Sequence, residues 1–115
     1  MFRLRLSPEA GEVYEDLKAR AGESLESRRA TGKGKPARAE GIFKQVHKCL
    51  VHLQSDPRHP GLRTHQYHSI PHPYDPRQKV FEAYAQHRTP GAYRVFWCYG
   101  PDAGEITIIA ITPHP

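Results

Sequence analysis

Residues 2–6 alternate, with Phe2, Leu4 and Leu6 set against Arg3 and Arg5, which is the period of a half-buried strand. Ser7-Pro8-Glu9 then carries three helix-start signals. Serine can cap free amides, proline suits the first helical position, and glutamate complements the helix dipole. Ala10, Val13, Leu17 and Ala21 follow at helical spacing and predict a first helix over about 8–28. A second stripe, Ile42, Phe43, Val46, Leu50 and Leu53, predicts a helix over about 40–54, with Lys44, Gln45 and Lys48 facing outward.

Between the two stripes, residues 28–41 read as a mobile loop, with five bases, one acid, glycines and a proline. After the second helix the pattern lapses again. Residues 55–78 hold five prolines and four histidines and read as a long functional or mobile connection, or as one enclosing a short strand near Thr64–Ser69. Three strands close the pattern: Lys79–Gln86, Ala92–Tyr99 and Glu105–Thr112, the last two joined by the turn Gly100-Pro101-Asp102-Ala103-Gly104. Short connections make these strands antiparallel neighbours. The expected fold is α+β, in the order β-α-α-β-β-β, with both helices on one face of an antiparallel sheet and the other face free for a ligand. A chain of 115 residues fits one domain with one modest core.

Charge adds a direction to this outline. Residues 1–27 carry four bases and six acids, a balance of −2, whereas residues 28–115 carry thirteen bases and six acids, a balance of +7. Such an excess favours a polyanionic partner, nucleic acid above all, although a soluble basic protein would look the same. Cys49 and Cys98, one on a helix and one on a strand, are too few for a secreted disulfide scaffold and suit reduced, buried thiols. No apolar run approaches the ~20 residues of a membrane helix, and Met1–Pro8 is too short and charged for a signal peptide. A cytoplasmic protein with no membrane partner is the expectation.

No cofactor or metal is expected. His47, Cys49 and His52 share one segment, and His59, His65, His68 and His72 share another, but neither has the spacing of a zinc motif. Gly32-Lys33-Gly34-Lys35 follows no strand and lacks the Walker spacing.

Four stretches, in their order and spacing, resemble the RelE/ParE family of bacterial toxins. They are Leu53-Gln54-Ser55-Asp56-Pro57-Arg58-His59-Pro60-Gly61-Leu62, Val80-Phe81-Glu82-Ala83-Tyr84, Ala92-Tyr93-Arg94-Val95-Phe96-Trp97 and Ile108-Ile109-Ala110-Ile111-Thr112-Pro113-His114-Pro115. The resemblance covers residues 40–115; the first forty agree mainly in topology. It implies a toxin silenced by a cognate antitoxin. RelE-like members cleave messenger RNA on the ribosome, whereas ParE-like members act on DNA gyrase without nuclease chemistry. Fold alone does not choose between the two.

Metal-free cleavage through the ribose 2′-OH needs a base, a cation for the phosphorane and an acid for the departing 5′-oxygen. Arg94 matches the family's strand arginine at the scissile phosphate, a role that suits its planar, permanently charged fork. An ion pair with Glu82 is the structural alternative. His114 matches a C-terminal histidine or arginine of several members and could move a proton. Glu82 is a further candidate base, and His87 and Arg88 could supply a base or a phosphate contact. Arg58, Arg63, Arg77 and Lys79 are candidates to position RNA, and Tyr67 and Tyr84 to stack on bases. Tyr93, Val95, Trp97 and Tyr99 share a strand face that reads as core. Two departures favour a non-catalytic binder instead: the family's paired lysines have no clear match, and no basic helix follows the final strand. A regulatory nucleic-acid-binding module using the 28–41 stretch is a third reading.

Overall fold

The computed structural model describes residues 1–87 and 89–114. Its elements are β1 (Arg3–Leu6), α1 (Pro8–Thr31), α2 (Arg38–Ser55), a short 3-10 turn (Pro60–Leu62), β2 (His65–Tyr67), β3 (Val80–Tyr84), β4 (Tyr93–Tyr99) and β5 (Glu105–Pro113). The strands form one sheet in the order β1-β5-β4-β3-β2. The meander β3-β4-β5 is antiparallel as expected, and β2 adds antiparallel to its outer edge.

One alternative reading of the sequence is realised and one pairing goes beyond it. The short strand near 64–69 exists, so the long connection is partly sheet. β1 pairs parallel with β5, Leu4 opposite Ile106, and so β5 lies inside the sheet, between β1 and β4. Arg5 and Arg3 of β1 meet the buried Glu105 of β5, at 2.8 and 3.9 Å. The Arg5 guanidinium bonded to Glu105 holds that carboxyl below its ordinary range.

Both helices pack on one face. Leu17 of α1 and Val46, Cys49, Leu50 and Leu53 of α2 meet Ala83, Val95, Trp97, Ile106, Ile108 and Ile111 of the sheet in one buried cluster. The strand alternation that buries Val95 and Trp97 here turns Arg94 and Phe96 to the opposite face. Burial in this core pushes the Cys49 thiol up to about 12, which suits an unreactive structural cysteine. Cys98, on β4, is also a free, buried thiol.

The first helix starts as expected, with Ser7 Oγ accepting from the Ala10 amide at 3.0 Å and Pro8 as its first residue. Both helices then reach further into the 28–41 stretch than expected, which leaves only residues 32–37 between them. The cause is tertiary. Glu40 Oε1 accepts from Arg28 of α1 at 2.5 Å, and its Oε2 accepts from Ser24 Oγ at 2.8 Å and from the Ala37 amide at 3.0 Å. Gly32 then ends α1 at φ 64, a conformation that glycine adopts freely.

These bonds, the one from Arg28 foremost, lower the Glu40 carboxyl to about 2. A carboxylate held this way stabilises the fold fully above its unfolded value near 4.5, and that contribution fades as pH falls towards 2. Thermal melts of the wild type and of Glu40→Gln should therefore differ at pH 6 and converge as pH drops through that window. A gap unchanged at pH 2.5 would reject the linkage.

Candidate active site

The sheet face opposite the helices is not free as expected, since Tyr67 packs on Phe96 and Tyr74 bonds to Thr107, and it carries a buried charge cluster. His65 of β2 lies opposite Glu82 of β3, and Arg94 of β4 lies opposite Tyr84, one alternation along from Glu82. These three neighbouring strands thus bring an imidazole, a carboxylate and a guanidinium together. Glu82 Oε1 is 2.6 Å from His65 Nε2, while Glu82 Oε2 accepts from Arg94 Nη1. The Glu82 side chain is 3 % exposed and that of Arg94 13 %. Arg94 also stands 5.3 Å from the centre of the Phe96 ring, close enough for a cation–π attraction. Its Nε has no hydrogen-bond partner among the described residues.

Beyond Arg94 the surface opens into a hollow of about 840 Å³, lined by Arg94, His114, His87, Tyr84 and Arg63 with Gln86 and the 89–92 turn. No acidic side chain lines it among the described residues. Two backbone-directed bonds shape its rim. The Gln86 side chain accepts from the Tyr93 amide at 3.1 Å, and the His114 amide donates to the Ala92 carbonyl at 2.8 Å. The second bond fixes the backbone at His114, just past β5, beside the start of β4. Arg94 and His114 therefore border one cavity although twenty residues separate them.

No family model matches the chain, and no curated protein sequence does so either. Solved structures do. The YoeB dimer from Staphylococcus aureus matches with a TM-score of 0.56 at 13% identity, over 99% of this chain and 98% of that one. A YoeB/ParE toxin from Agrobacterium tumefaciens matches with a TM-score of 0.58 at 8% identity, over 98% and 99%. The intact E. coli RelBE toxin–antitoxin complex matches with a TM-score of 0.56 at 11% identity, over 100% and 99%. The fold is that of the RelE/ParE toxins. At such identities the likeness is one of fold, and roles have to be argued from the residues.

On this RelE/ParE fold the other candidates fall into separate groups. Glu82 does not line the hollow; both its oxygens are engaged, and it meets Arg94 as the structural reading expected. His87 is exposed at the rim, its ring 5.9 Å from that of Tyr84. Arg88 lies outside the described residues. Arg58 lines a second hollow, which shares Arg63 with the first. Tyr67, Arg77 and Lys79 surround a third, at the far end of β3. There Tyr67 packs on Phe96, ring centres 4.6 Å apart, and Arg77 pairs with Asp75 at 3.2 Å, which keeps the Asp75 carboxyl below its ordinary range. The aromatic face of Tyr93, Val95, Trp97 and Tyr99 is core, as its alternation indicated.

The residue that sequence reasoning missed is His65, grouped there with loop histidines. The period-2 pattern of a strand over 64–69 puts residues 65 and 67 on one face, and that was the available signal. Its neighbours in the Pro/His-rich stretch serve the backbone. His59 accepts from the Gly61 amide at 3.0 Å, and the buried His72 accepts from the amides of Tyr74 and Asp75.

Proposed function

We propose that the chain is the toxin of a type II toxin–antitoxin pair and that it cuts messenger RNA on the ribosome by metal-free attack of the ribose 2′-OH. The observation that carries this reading is the shared hollow of Arg94 and His114, free of acids among the described residues. Arg94 has the charge and the donor fork to stabilise a phosphorane. His114 is the leading proton-transfer group, with His87 at the same rim. Arg63 supplies a second cation beside the bound phosphate, and Tyr84 a ring for a base. Glu82 acts on this view as a positioning residue that aims Arg94. An antitoxin partner is supported by the RelBE likeness, since that structure holds toxin and antitoxin together. The site of action would be the cytoplasm; no helix among the described residues is long and apolar enough to cross a membrane.

The test is to incubate the purified protein with translating ribosomes and sequence the message ends. Cleavage should leave 2′,3′-cyclic phosphates and 5′-hydroxyls, and the Arg94→Ala, His114→Ala double variant should leave messages intact. Equal cutting by wild type and double variant would reject the assignment. One observation favours a non-nucleolytic reading, gyrase-directed or inactive: Glu82 already neutralises Arg94. Induction in cells separates the two, because a nuclease stops translation whereas a gyrase-directed protein triggers DNA-damage signalling.

A further inference from the structure

The second hollow, of about 510 Å³, lies between the 57–64 turn and the aromatic row of β3 and β4. Phe81, Trp97 and Tyr99 form its aromatic wall. The Phe81 and Trp97 rings stack with centres 4.8 Å apart, and Tyr99 stands edge-on to Trp97 at 5.0 Å. Arg58, His59 and Arg63 also line it, and no acid does among the described residues.

Two of its residues carry an unmet polar atom. The indole Nε1 of Trp97 and the hydroxyl of Thr64 are buried with no hydrogen-bond partner among the described residues. Buried polar atoms are almost always paired, so two orphans bordering one cavity call for an explanation, and an absent ligand is one that accounts for both. Arg63, at φ 48, closes the Pro60–Leu62 turn as its left-handed cap, its amide donating to the Pro60 carbonyl, and lines both hollows.

We propose that this second hollow is a nucleotide subsite. A nucleobase would stack on the exposed parts of Phe81 and Tyr99 and turn its acceptor edge to the Trp97 N–H and the Thr64 hydroxyl. Its phosphate would lie between Arg58 and Arg63. A flat heteroaromatic ring bearing a phosphate matches every feature: an aromatic wall, an unpaired donor and hydroxyl, and a cationic rim. Because Arg63 borders both hollows, the base would belong to a nucleotide next to the scissile phosphate at Arg94. That placement rests on the ribonuclease reading, whereas the affinity for a nucleotide does not.

The chain has a single tryptophan, so ¹⁵N-labelled protein gives one indole N–H resonance. Titration with AMP, GMP, CMP or UMP should move that resonance downfield and saturate, and ribose 5-phosphate should leave it in place. Thr64→Val and Arg58→Ala should each weaken the effect about fivefold, the loss of roughly one hydrogen bond. Arg20→Ala, an exposed change on α1 outside this hollow, should retain it. An indole signal unmoved by every nucleotide at ~10 mM overturns the proposal, since even millimolar affinity would show there. So does an equal response to ribose 5-phosphate, or loss of the shift in Arg20→Ala. Movement by a partner protein but by no nucleotide would mean a protein-docking cleft and also reject it. Nucleotide binding without message cleavage would sink the ribonuclease reading alone, and cleavage without the indole shift would sink this one alone.

Discussion

On the proposed ribonuclease reading, Arg94→Ala should slow message cleavage by about two to three orders of magnitude, the usual loss when a preorganised donor to a developing oxyanion is removed. Arg94 reaches the hollow through a side chain that is only 13 % exposed, so its charge acts in a partly dry setting where it counts for more than in water. Glu82 and the Phe96 ring fix one end of the guanidinium in advance, which would lower the entropy lost on engaging a phosphate. Arg94→Lys keeps the charge but not the fork and should recover only part of the rate. Single-turnover cleavage on ribosomes, corrected for folded fraction by circular dichroism, is the measurement. A rate for Arg94→Ala within threefold of wild type would remove Arg94 from the chemistry.

Glu82→Ala should be the most destabilising single change at the site, by about 3–5 kcal/mol, because it strips a buried cation of its counter-charge. It leaves Arg94 and His65 facing each other with no carboxylate between them. Arg94→Ala should cost less, since Glu82 keeps His65 as a partner. The combination Glu82→Leu with Arg94→Met should restore much of the loss, as apolar replacement of a whole buried pair often does. Urea titration of the four proteins gives the comparison. If Glu82→Ala unfolds at the wild-type urea concentration, the cluster contributes nothing to the fold. A stable Glu82→Gln protein with a reduced cleavage rate and unchanged RNA binding would mark Glu82 as the residue that aims Arg94.

How far the sequence revealed this arrangement depended on the range of the interactions involved. The alternation at 2–6, the stripe from Ile42 to Leu53 and the β-branched run from Ile106 to Ile111 are local patterns, and they located β1, α2 and β5. The Ser7 cap is equally local. Pairing across the chain left no such trace: the parallel match of β1 with β5 joins residues about a hundred apart in sequence. The extension of both helices towards residues 32–37 depends on Glu40 reaching Arg28 and Ser24, a tertiary contact that propensity does not register. Arg94 was picked out by its match to the RelE-like strand arginine, and its alternative partner Glu82 by being the lone acid on the preceding strand. His65 could not, because a three-residue strand amid prolines and histidines has too short a period to stand out. The meeting of residues 94 and 114 followed from the order of strands, although the cavity between them also needed the backbone bond from His114 to Ala92.

The interior position of β5 has a consequence for biogenesis. β5 is made after every other strand, yet it separates β1 from β4. A nascent polypeptide halted before residue 105 therefore lacks the middle of its own sheet, and His114 is not yet made. The helical hairpin and the outer strands must wait, unfinished, for this late insertion. Synthesis interrupted before residue 105 then yields a fragment with neither a closed sheet nor the Arg94–His114 cavity.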